Sequence, residues 1–223
     1  AQLGELESEV DTVVGCVGAG SNFGGVALPF FARHRAGESE HLPLLLAAES
    51  SATPKLSRGV YAYDVTDATG TGPMEAMYTI GAGYRIPASH SAGLRFHGAA
   101  KLLSAMRHRG QISAVGIGQR DAMDAARRFA LTEQVLPAPE SGHALAAAAS
   151  VACGQSGRLG GAAGGMRGVL VCVSGHGLLD LSAYDDLLAG AIEDSPAGAD
   201  ALRAATSALR SVTSDQTDLI EVS

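Results

Sequence analysis

The strongest constraint on the fold is an apolar strand, a glycine-rich turn and a helix that follow one another directly near the start of the sequence. The run DTVVGCV (11–17) is short, rich in β-branched residues and leads into glycine, which predicts a buried strand. GAGSN (18–22) predicts a turn, and NFGGVALPFFARHR (22–35) has helical spacing with a basic last turn. This unit is typical of proteins in which helices cover both faces of a parallel sheet.

The same alternation continues along the chain. Further strands are predicted at HLPLLLAAE (41–49), ISAVGI (112–117) and VLVCVSG (169–175), and helices at 98–110, 120–133, 141–152 and 197–211. Residues 53–92 are rich in Thr, Gly, Pro and Tyr, and we interpret them as a long ordered loop with short helical pieces around Met74 to Tyr78. Residues 154–168 have the composition of a flexible spacer, and TSDQTD (213–218) that of a polar tail. The predicted fold class is therefore α/β, with three layers (α/β/α) and a mostly parallel sheet.

Composition excludes several classes of function. A chain of 223 residues with 46% hydrophobic residues can bury a sizeable core, and its net charge of −7 with scattered basic residues argues against binding to nucleic acid. No apolar stretch reaches the length of a membrane span, and the first residues are acidic rather than basic, so neither a membrane anchor nor a signal peptide is expected. Cys16, Cys153 and Cys172 lack CxxC spacing, and we interpret them as buried thiols of a cytoplasmic protein without a metal site.

The glycine turn has the features of an anion site. Backbone N–H groups and the positive end of a helix dipole meet where a strand gives way to a helix. Gly18 and Gly20 allow the backbone to approach an anion closely, and Ser21 and Asn22 add donors. No Lys-Ser/Thr follows, so the turn is not a Walker loop. Two alternatives stay open: a nucleotide-binding α/β domain in which Glu49 binds a ribose, and a plain turn without a ligand.

Three later stretches make the interpretation more specific. GLRFHG (93–98), LTEQVLPAPESGHA (131–144) and VSGHGLLDLSAYD (173–185) follow GSNFGG in this order, together with PKLSRGVYAYD (54–64) and MYTIG (77–81). In this combination the chain resembles the β chain of tryptophan synthase, most closely its second, stand-alone type. The resemblance extends from about residue 3 to 192 and implies the C-terminal half of a pyridoxal-phosphate enzyme. That enzyme catalyses serine β-elimination followed by β-replacement with indole or a related nucleophile.

The resemblance also implies roles for single residues. The phosphate loop of the family corresponds to Gly18, Ala19, Gly20, Ser21 and Asn22, where Ala19 replaces a glycine. Glu140 matches the glutamate beside the cofactor ring, and Ser174 matches the serine that faces the pyridine nitrogen. Because a neutral hydroxyl stabilises a protonated ring nitrogen less than a carboxylate does, Ser174 favours expulsion of a β-leaving group. His97 is a candidate for proton transfer, and Arg95 and His90 are candidates for substrate binding, although each of the three also suits a structural role.

The position of the catalytic lysine decides what this chain does alone. The sequence contains only Lys55 and Lys101, and the resemblance places the Schiff-base lysine in the half of the family chain that precedes the phosphate loop. We therefore expect a separate polypeptide that carries the lysine-bearing N-terminal half, a higher oligomer and an amino-acid substrate; the resemblance also admits a monovalent cation. A catalytically inert partner or regulatory subunit is the alternative. Residues 1–192 are predicted to form the phosphate-binding domain, completed by that absent half, and residues 193–223 a C-terminal helix and tail.

Overall fold

The computed structural model describes residues 9–67, 69–154 and 168–212. Seven strands occur in these ranges: β1 (Thr12–Cys16), β2 (Leu44–Ser50), β3 (Val60–Val65), β4 (Met74–Thr79), β5 (Ser113–Ile117), β6 (Val169–Val171) and β7 (Arg210–Ser211). The α-helices described there are α1 (Ser21–Arg35), α2 (Lys55–Arg58), α3 (Lys101–His108), α4 (Gln119–Glu133), α5 (Pro139–Ala152), α6 (Leu181–Leu188) and α7 (Ala199–Thr206). Single 3-10 turns cover Ala92–Leu94 and Gly177–Leu179.

A four-stranded parallel sheet forms the centre of the molecule, with the strand order β5-β2-β1-β6. The first strand pairs with β2 on one side and with β6 on the other, where Val14 lies opposite Val171. Because parallel neighbours end at the same edge of a sheet, the segments that follow β1 and β6 emerge side by side. This edge carries the candidate site.

Helices cover both faces of the parallel sheet. Alternation along β1 sends Val13 to one face, where it packs with Phe23 of α1 and Leu103 of α3. The next residue, Val14, points to the other face and packs in a cluster with Ala144 of α5. The three-layer α/β/α arrangement and the mostly parallel sheet are therefore confirmed.

A second, antiparallel sheet lies where we predicted a long loop. Strands β3 and β4 pair from Val60 opposite Thr79 to Val65 opposite Met74, and β7 adds to the other edge of β3. The interpretation of residues 53–92 as a loop with helical pieces near Met74 to Tyr78 was wrong. Tyr61 stacks on Tyr78 across the two strands, with ring centroids 5.3 Å apart, and such cross-strand pairs stabilise a sheet without leaving a signal in either segment alone.

The C-terminal part of the chain also differs from the sequence prediction. The helix predicted over 197–211 is shorter, because α7 covers Ala199–Thr206 and the chain then extends into β7. Most of the predicted spacer at 154–168, and the polar tail, lie outside the described residues. In the part of the chain that the structure describes, no helix combines the length and the apolar character needed to cross a membrane.

The three cysteines occupy different environments. All are free thiols, but only Cys16 is buried, whereas Cys172 is partly buried. The prediction of a buried thiol was wrong for Cys153, which is exposed because it follows the last residue of α5.

Candidate functional site

The turn between β1 and α1 requires a backbone without side chains at two positions. A Cβ atom at Gly18 would lie 2.1 Å from the carbonyl oxygen of Gly93, and one at Gly20 would lie 2.5 Å from Cδ1 of Leu103. Gly20 also has a φ of +128°, a conformation that residues with a Cβ atom rarely adopt. Ala19 is compatible with the turn, because among the described non-glycine residues only Gln134 has a positive φ. The glycine pattern of this loop thus has a steric cause.

The loop opens at the N-terminus of α1. No side chain caps this helix end, and no acidic residue lies in its first turn. The first N–H groups of a helix have no carbonyl partner within the helix, and the helix dipole makes this end positive. Ser21, the first helical residue, is exposed and adds a hydroxyl group. The arrangement suits an anion such as a phosphate group.

Ser174 lies directly beside this helix end. Nδ2 of Asn22 donates to Oγ of Ser174 at 2.5 Å, which connects α1 to the segment that follows β6. Oγ of Ser141 donates to the carbonyl oxygen of Ser174 at 2.5 Å and accepts from its N–H at 3.0 Å. The main chain of Ser174 is therefore held by Ser141, and its hydroxyl accepts from Asn22. The sequence analysis did not identify Ser141, although it directly follows Glu140.

Glu140 reaches the loop through Gly93. Its Oε1 accepts a hydrogen bond from the N–H of Gly93 at 2.8 Å, and Glu140 lies in the first turn of α5. The carbonyl of the same Gly93 is the atom that a Cβ at Gly18 would meet. Glu140 and the glycine loop therefore both lie against Gly93.

The thiol of Cys16 lies underneath this cluster. Its Sγ is 3.6 Å from Oδ1 of Asn22. Burial raises the pKa of Cys16 to about 12, and the neighbouring Cys172 and Glu140 raise it further. The thiol is therefore neutral at ordinary pH and is no nucleophile. The neutral thiol donates a long hydrogen bond to Oδ1 of Asn22 at the floor of the site.

His97 is attached to the antiparallel sheet. Its ring is buried, with Nε2 2.8 Å from the carbonyl oxygen of Val65 and 4.0 Å from Oδ2 of Asp64. Because a carbonyl only accepts, Nε2 donates to Val65. These contacts involve none of the loop residues, and the catalytic role of His97 stays a prediction.

Arg95 and His90 also have partners elsewhere. Nη2 of Arg95 donates to the carbonyl oxygen of Ile86 at 3.1 Å, and the side chain is exposed. Nε2 of His90 lies 3.2 Å from Oδ2 of Asp186 on α6. Their predicted roles in substrate binding stay predictions.

Glu49 is too deeply buried to bind a ribose from solvent. Its carboxylate has no exposed surface and accepts from the N–H groups of Leu56 at 2.9 Å and Ser57 at 2.7 Å. The nucleotide-binding alternative relied on this residue and loses its support. Burial raises the pKa of Glu49 and lowers the pKa of its buried neighbour Lys55.

The two lysines differ in accessibility. Nζ of Lys55 is fully buried and donates to the carbonyl oxygens of Val17 at 3.2 Å and Thr53 at 3.3 Å. Lys101 is exposed and begins α3, directly after Ala100, whose N–H donates to the carbonyl of Ala19 at 2.7 Å. Lys55 is thus committed to structural contacts, whereas Lys101 lies near the loop at the surface.

Comparison with known proteins agrees with this geometry. The model of a family described as "Pyridoxal-phosphate dependent enzyme" matches residues 1–175. The chain is 46% identical over 184 residues to a tryptophan synthase beta chain of Pyrobaculum islandicum, an alignment that covers 82% of this chain and 42% of the relative. It is 42% identical over 193 residues to a tryptophan synthase beta chain of Thermococcus onnurineus, covering 86% of this chain and 42% of the relative. The chain thus spans about two fifths of the length of these relatives.

A solved structure shares the fold. The cysteine synthase of Entamoeba histolytica superimposes with a TM-score of 0.52 over 92% of this chain and 48% of that chain, at 17% sequence identity. At this identity the likeness concerns the architecture alone.

Proposed function

Because the chain belongs to the family of pyridoxal-phosphate dependent enzymes, we propose that it binds the phosphate and the ring of this cofactor in a tryptophan synthase β-like enzyme. The observation that carries the proposal is the direct contact between Asn22, at the uncapped start of α1, and Ser174, after β6. Two segments that the resemblance assigns to opposite ends of one cofactor meet at one sheet edge. The proposed substrates are serine and indole or a related nucleophile.

The residues present fit pyridoxal phosphate. Close approach of the phosphate needs a backbone without Cβ atoms, and Gly18 and Gly20 provide it for steric reasons that are independent of the family resemblance. The N-terminus of α1 supplies N–H donors and positive potential, and Ser21 and Asn22 add polar side chains. Glu140 is held beside this loop by Gly93.

Ser174, beside the same helix end, sets the polarity next to the ring of the cofactor. When bound, pyridoxal phosphate supplies the electron sink that weakens bonds at the α and β carbons of an amino acid. The hydroxyl of Ser174 stays neutral at this position and donates a hydrogen bond without adding negative charge. This favours elimination of a β-substituent over reactions that need a protonated ring nitrogen.

The lysine that binds the cofactor covalently is proposed to come from polypeptide outside this sequence. Lys55 is buried with oxygen partners, which leaves Lys101 as the accessible amine of this chain. We propose a partner chain or segment that supplies the lysine and completes the site. Binding of a monovalent cation and assembly into a higher oligomer stay predictions. A catalytically inert partner subunit is the outcome if no such lysine is found.

Cofactor titration of the full chain tests the phosphate site. We expect the double substitution Ser21→Ala, Asn22→Ala to weaken binding of pyridoxal phosphate about tenfold or more, because charge-assisted hydrogen bonds to the phosphate are lost. The matched control is Ser207→Ala, since this exposed serine bonds only within α7 and its C-terminal cap. Equal affinity of the double variant and the control would contradict the proposed phosphate site.

Native mass spectrometry with borohydride reduction tests the partner. For the complex isolated from its source, we expect a covalent pyridoxyl group on a lysine of a second polypeptide or segment. The variant Lys101→Arg should leave this labelling unchanged. A pyridoxyl group on Lys101 of this chain, lost in Lys101→Arg, would contradict the need for a partner lysine.

The substitution Ser174→Asp tests the role of the hydroxyl in the assembled enzyme. We expect a carboxylate to shift the partition of products away from β-elimination and β-replacement, because it stabilises a protonated ring nitrogen. Ser174→Thr keeps a hydroxyl and serves as the control. An unchanged product ratio in Ser174→Asp would show that the hydroxyl does not set the reaction type.

A further inference from the structure

We infer that the ammonium group of Lys55 is a built-in cation that positions the start of the glycine loop. The inference deepens the proposed function, on which its cofactor-binding part rests. Lys55 is a positioning residue in this view: it touches the backbone before the loop and not the anion that the loop would bind. Its side chain is fully buried in a region that the catalytic proposal leaves unused.

Oxygen atoms from three segments surround the buried nitrogen. Nζ of Lys55 lies 3.2 Å from the carbonyl oxygen of Val17, 3.3 Å from that of Thr53 and 3.9 Å from Oε2 of Glu49. An ammonium group has three donors and no acceptor, so acceptors alone can satisfy it. The buried carbonyl of Val17 in turn needs a donor, because an unpaired buried carbonyl is costly.

The position of Val17 connects this contact to the proposed phosphate site. Val17 directly precedes Gly18, and its N–H is already held by the carbonyl of Ala48 on β2 at 2.8 Å. With its carbonyl on Lys55, Val17 is held through both of its main-chain polar groups, and the peptide group that enters the loop is anchored at its oxygen. The N–H of Gly18 belongs to the same planar peptide group, so its direction follows from that anchor.

Thr53 connects Lys55 to the turn that contains Gly93 and Leu94. Its Oγ1 donates to the carbonyl of Leu94 at 3.0 Å, next to Gly93, which contacts both Gly18 and Glu140. Lys55 therefore lies between the segment before the loop and the turn that supports the loop from outside. Loss of the ammonium would free the carbonyl of Val17, whereas the carbonyl of Thr53 keeps the main-chain N–H of Lys55 as a donor at 2.9 Å.

Glu49 supplies the counter-charge: burial lowers the pKa of Lys55 and raises the pKa of Glu49, and the charge of each group opposes this effect on the other. Its carboxylate is fixed by the N–H groups of Leu56 and Ser57, so it cannot turn away from Lys55 without losing two hydrogen bonds. Removal of Lys55 alone would leave a buried carboxylate and two carbonyl oxygens around an empty volume. Such an oxygen-lined space suits a free ammonium or potassium ion, whereas the wild-type protein needs neither.

Thermal unfolding of the full chain in different salts tests the inference without the cofactor. We expect Lys55→Ala to lower the unfolding midpoint by roughly 8–15 °C in tetramethylammonium chloride, because a buried pair loses one partner. Ammonium chloride at equal ionic strength should recover about half of this loss. The control Lys55→Met fills the volume with an apolar chain and should show no recovery, and the wild-type midpoint should be equal in both salts. Equal behaviour of the two variants, or a wild-type protein stabilised by ammonium, would overturn the inference.

Cofactor titration then links Lys55 to the loop. We expect Lys55→Ala to bind pyridoxal phosphate about tenfold more weakly in tetramethylammonium chloride and to recover in ammonium chloride, whereas Lys55→Met stays weak. Wild-type affinity in Lys55→Met would overturn the positioning role.

If the wild-type chain itself does not bind pyridoxal phosphate, the proposed function fails, and the unfolding experiment still decides whether Lys55 acts as a cation. If Lys55→Ala folds only in ammonium chloride, a higher refolding yield in that salt supports the inference. If Lys55→Ala refolds in neither salt, the inference is contradicted.

Discussion

The parallel and antiparallel sheets of this protein use their polar residues in different ways. At the edge where β1 and β6 end, side chains from distant segments meet each other, as Asn22 and Ser174 do. In the antiparallel sheet, Asp64 accepts from Oγ1 of Thr79 at 2.7 Å and from the N–H of Ala82 at 3.0 Å, and the ring of His97 donates to the main chain. The parallel edge therefore brings polar side chains of distant segments together, whereas Asp64 and His97 bond within the antiparallel sheet and the segments next to it.

Gly18→Ala should give the largest effect and break the site at the parallel edge. The added Cβ would lie 2.1 Å from the carbonyl oxygen of Gly93, so the loop or the turn must move. We expect a loss of about 3 kcal/mol in the free energy of unfolding and no measurable binding of pyridoxal phosphate. Chemical denaturation and cofactor titration measure the two effects.

Gly25→Ala is the matched control in the same segment. Gly25 lies within α1, and a Cβ atom there has no neighbour within 4 Å. We expect a gain of about 0.5–1 kcal/mol in the free energy of unfolding, because alanine favours the helix, and unchanged cofactor affinity. Normal cofactor binding by Gly18→Ala would contradict the steric argument for the loop.

The buried histidine beside the parallel sheet should make stability depend on pH. Burial lowers the pKa of His143 to about 4, and Nδ1 lies 3.1 Å from the carbonyl of Pro139. Because the unfolded value is near 6.5, the unfolded chain binds more protons between these two pH values. Stability is therefore full above pH 6.5, and about 3 kcal/mol is lost as the pH falls towards 4.

His143→Asn removes this titration and keeps a donor for the carbonyl of Pro139. We expect its free energy of unfolding, measured by denaturation between pH 4 and 7, to be less dependent on pH than that of the wild-type protein. His97→Asn, in the antiparallel region, is the comparison variant and should retain the slope due to His143. An unchanged slope in His143→Asn would contradict a neutral buried imidazole.

Local patterns in the sequence predicted the parallel sheet, whereas the family resemblance supplied Glu140 and Ser174 as candidate site residues. The central strands β1 and β2 are almost fully buried and mostly apolar because helices cover both faces, whereas the edge strands β5 and β6 are mainly partly buried. The glycine turn shows directly where α1 begins. Asn22 and Ser174 each follow a strand of this sheet, but Ser174 was assigned from the resemblance and not from its position after a strand. For the glycine turn, the strand, the turn and the helix start are visible within a few positions.

Long-range contacts explain what the sequence analysis missed. Strands β3 and β4 depend on the pairing of Tyr61 with Tyr78, which neither segment reveals alone. Ser141 acts on the main chain of Ser174, 33 positions away. Lys55 binds the carbonyl of Val17, 38 positions away, so its burial could not be derived from the neighbouring Pro and Leu.

Two buried serines with the same bonding pattern sharpen the comparison of the sheets. Ser141 bonds both main-chain groups of Ser174, and Ser104 accepts from the N–H of Tyr78 at 2.9 Å and donates to the carbonyl of Ala99 at 3.1 Å. We expect Ser141→Ala and Ser104→Ala each to lower the free energy of unfolding by about 1–2 kcal/mol. Only Ser141→Ala should weaken binding of pyridoxal phosphate, measured by titration, because only Ser174 belongs to the site. Equal loss of affinity in both variants would mean that general stability, not the position of Ser174, controls binding.

His97→Gln should give the smallest effect and tests whether the antiparallel sheet takes part in the chemistry. Glutamine keeps an N–H donor that can reach the carbonyl of Val65, so we expect a loss of about 1 kcal/mol in the free energy of unfolding. Cofactor affinity should stay within about twofold of the wild-type value, because the contacts of His97 connect β3 with the chain after β4 and not with the loop. The measurement that decides is turnover of the assembled enzyme against pH. If His97→Gln is as stable as expected but its turnover falls by orders of magnitude with a changed pH profile, His97 transfers a proton. In that case the antiparallel sheet takes part in the chemistry, and the contrast between the two sheets does not hold.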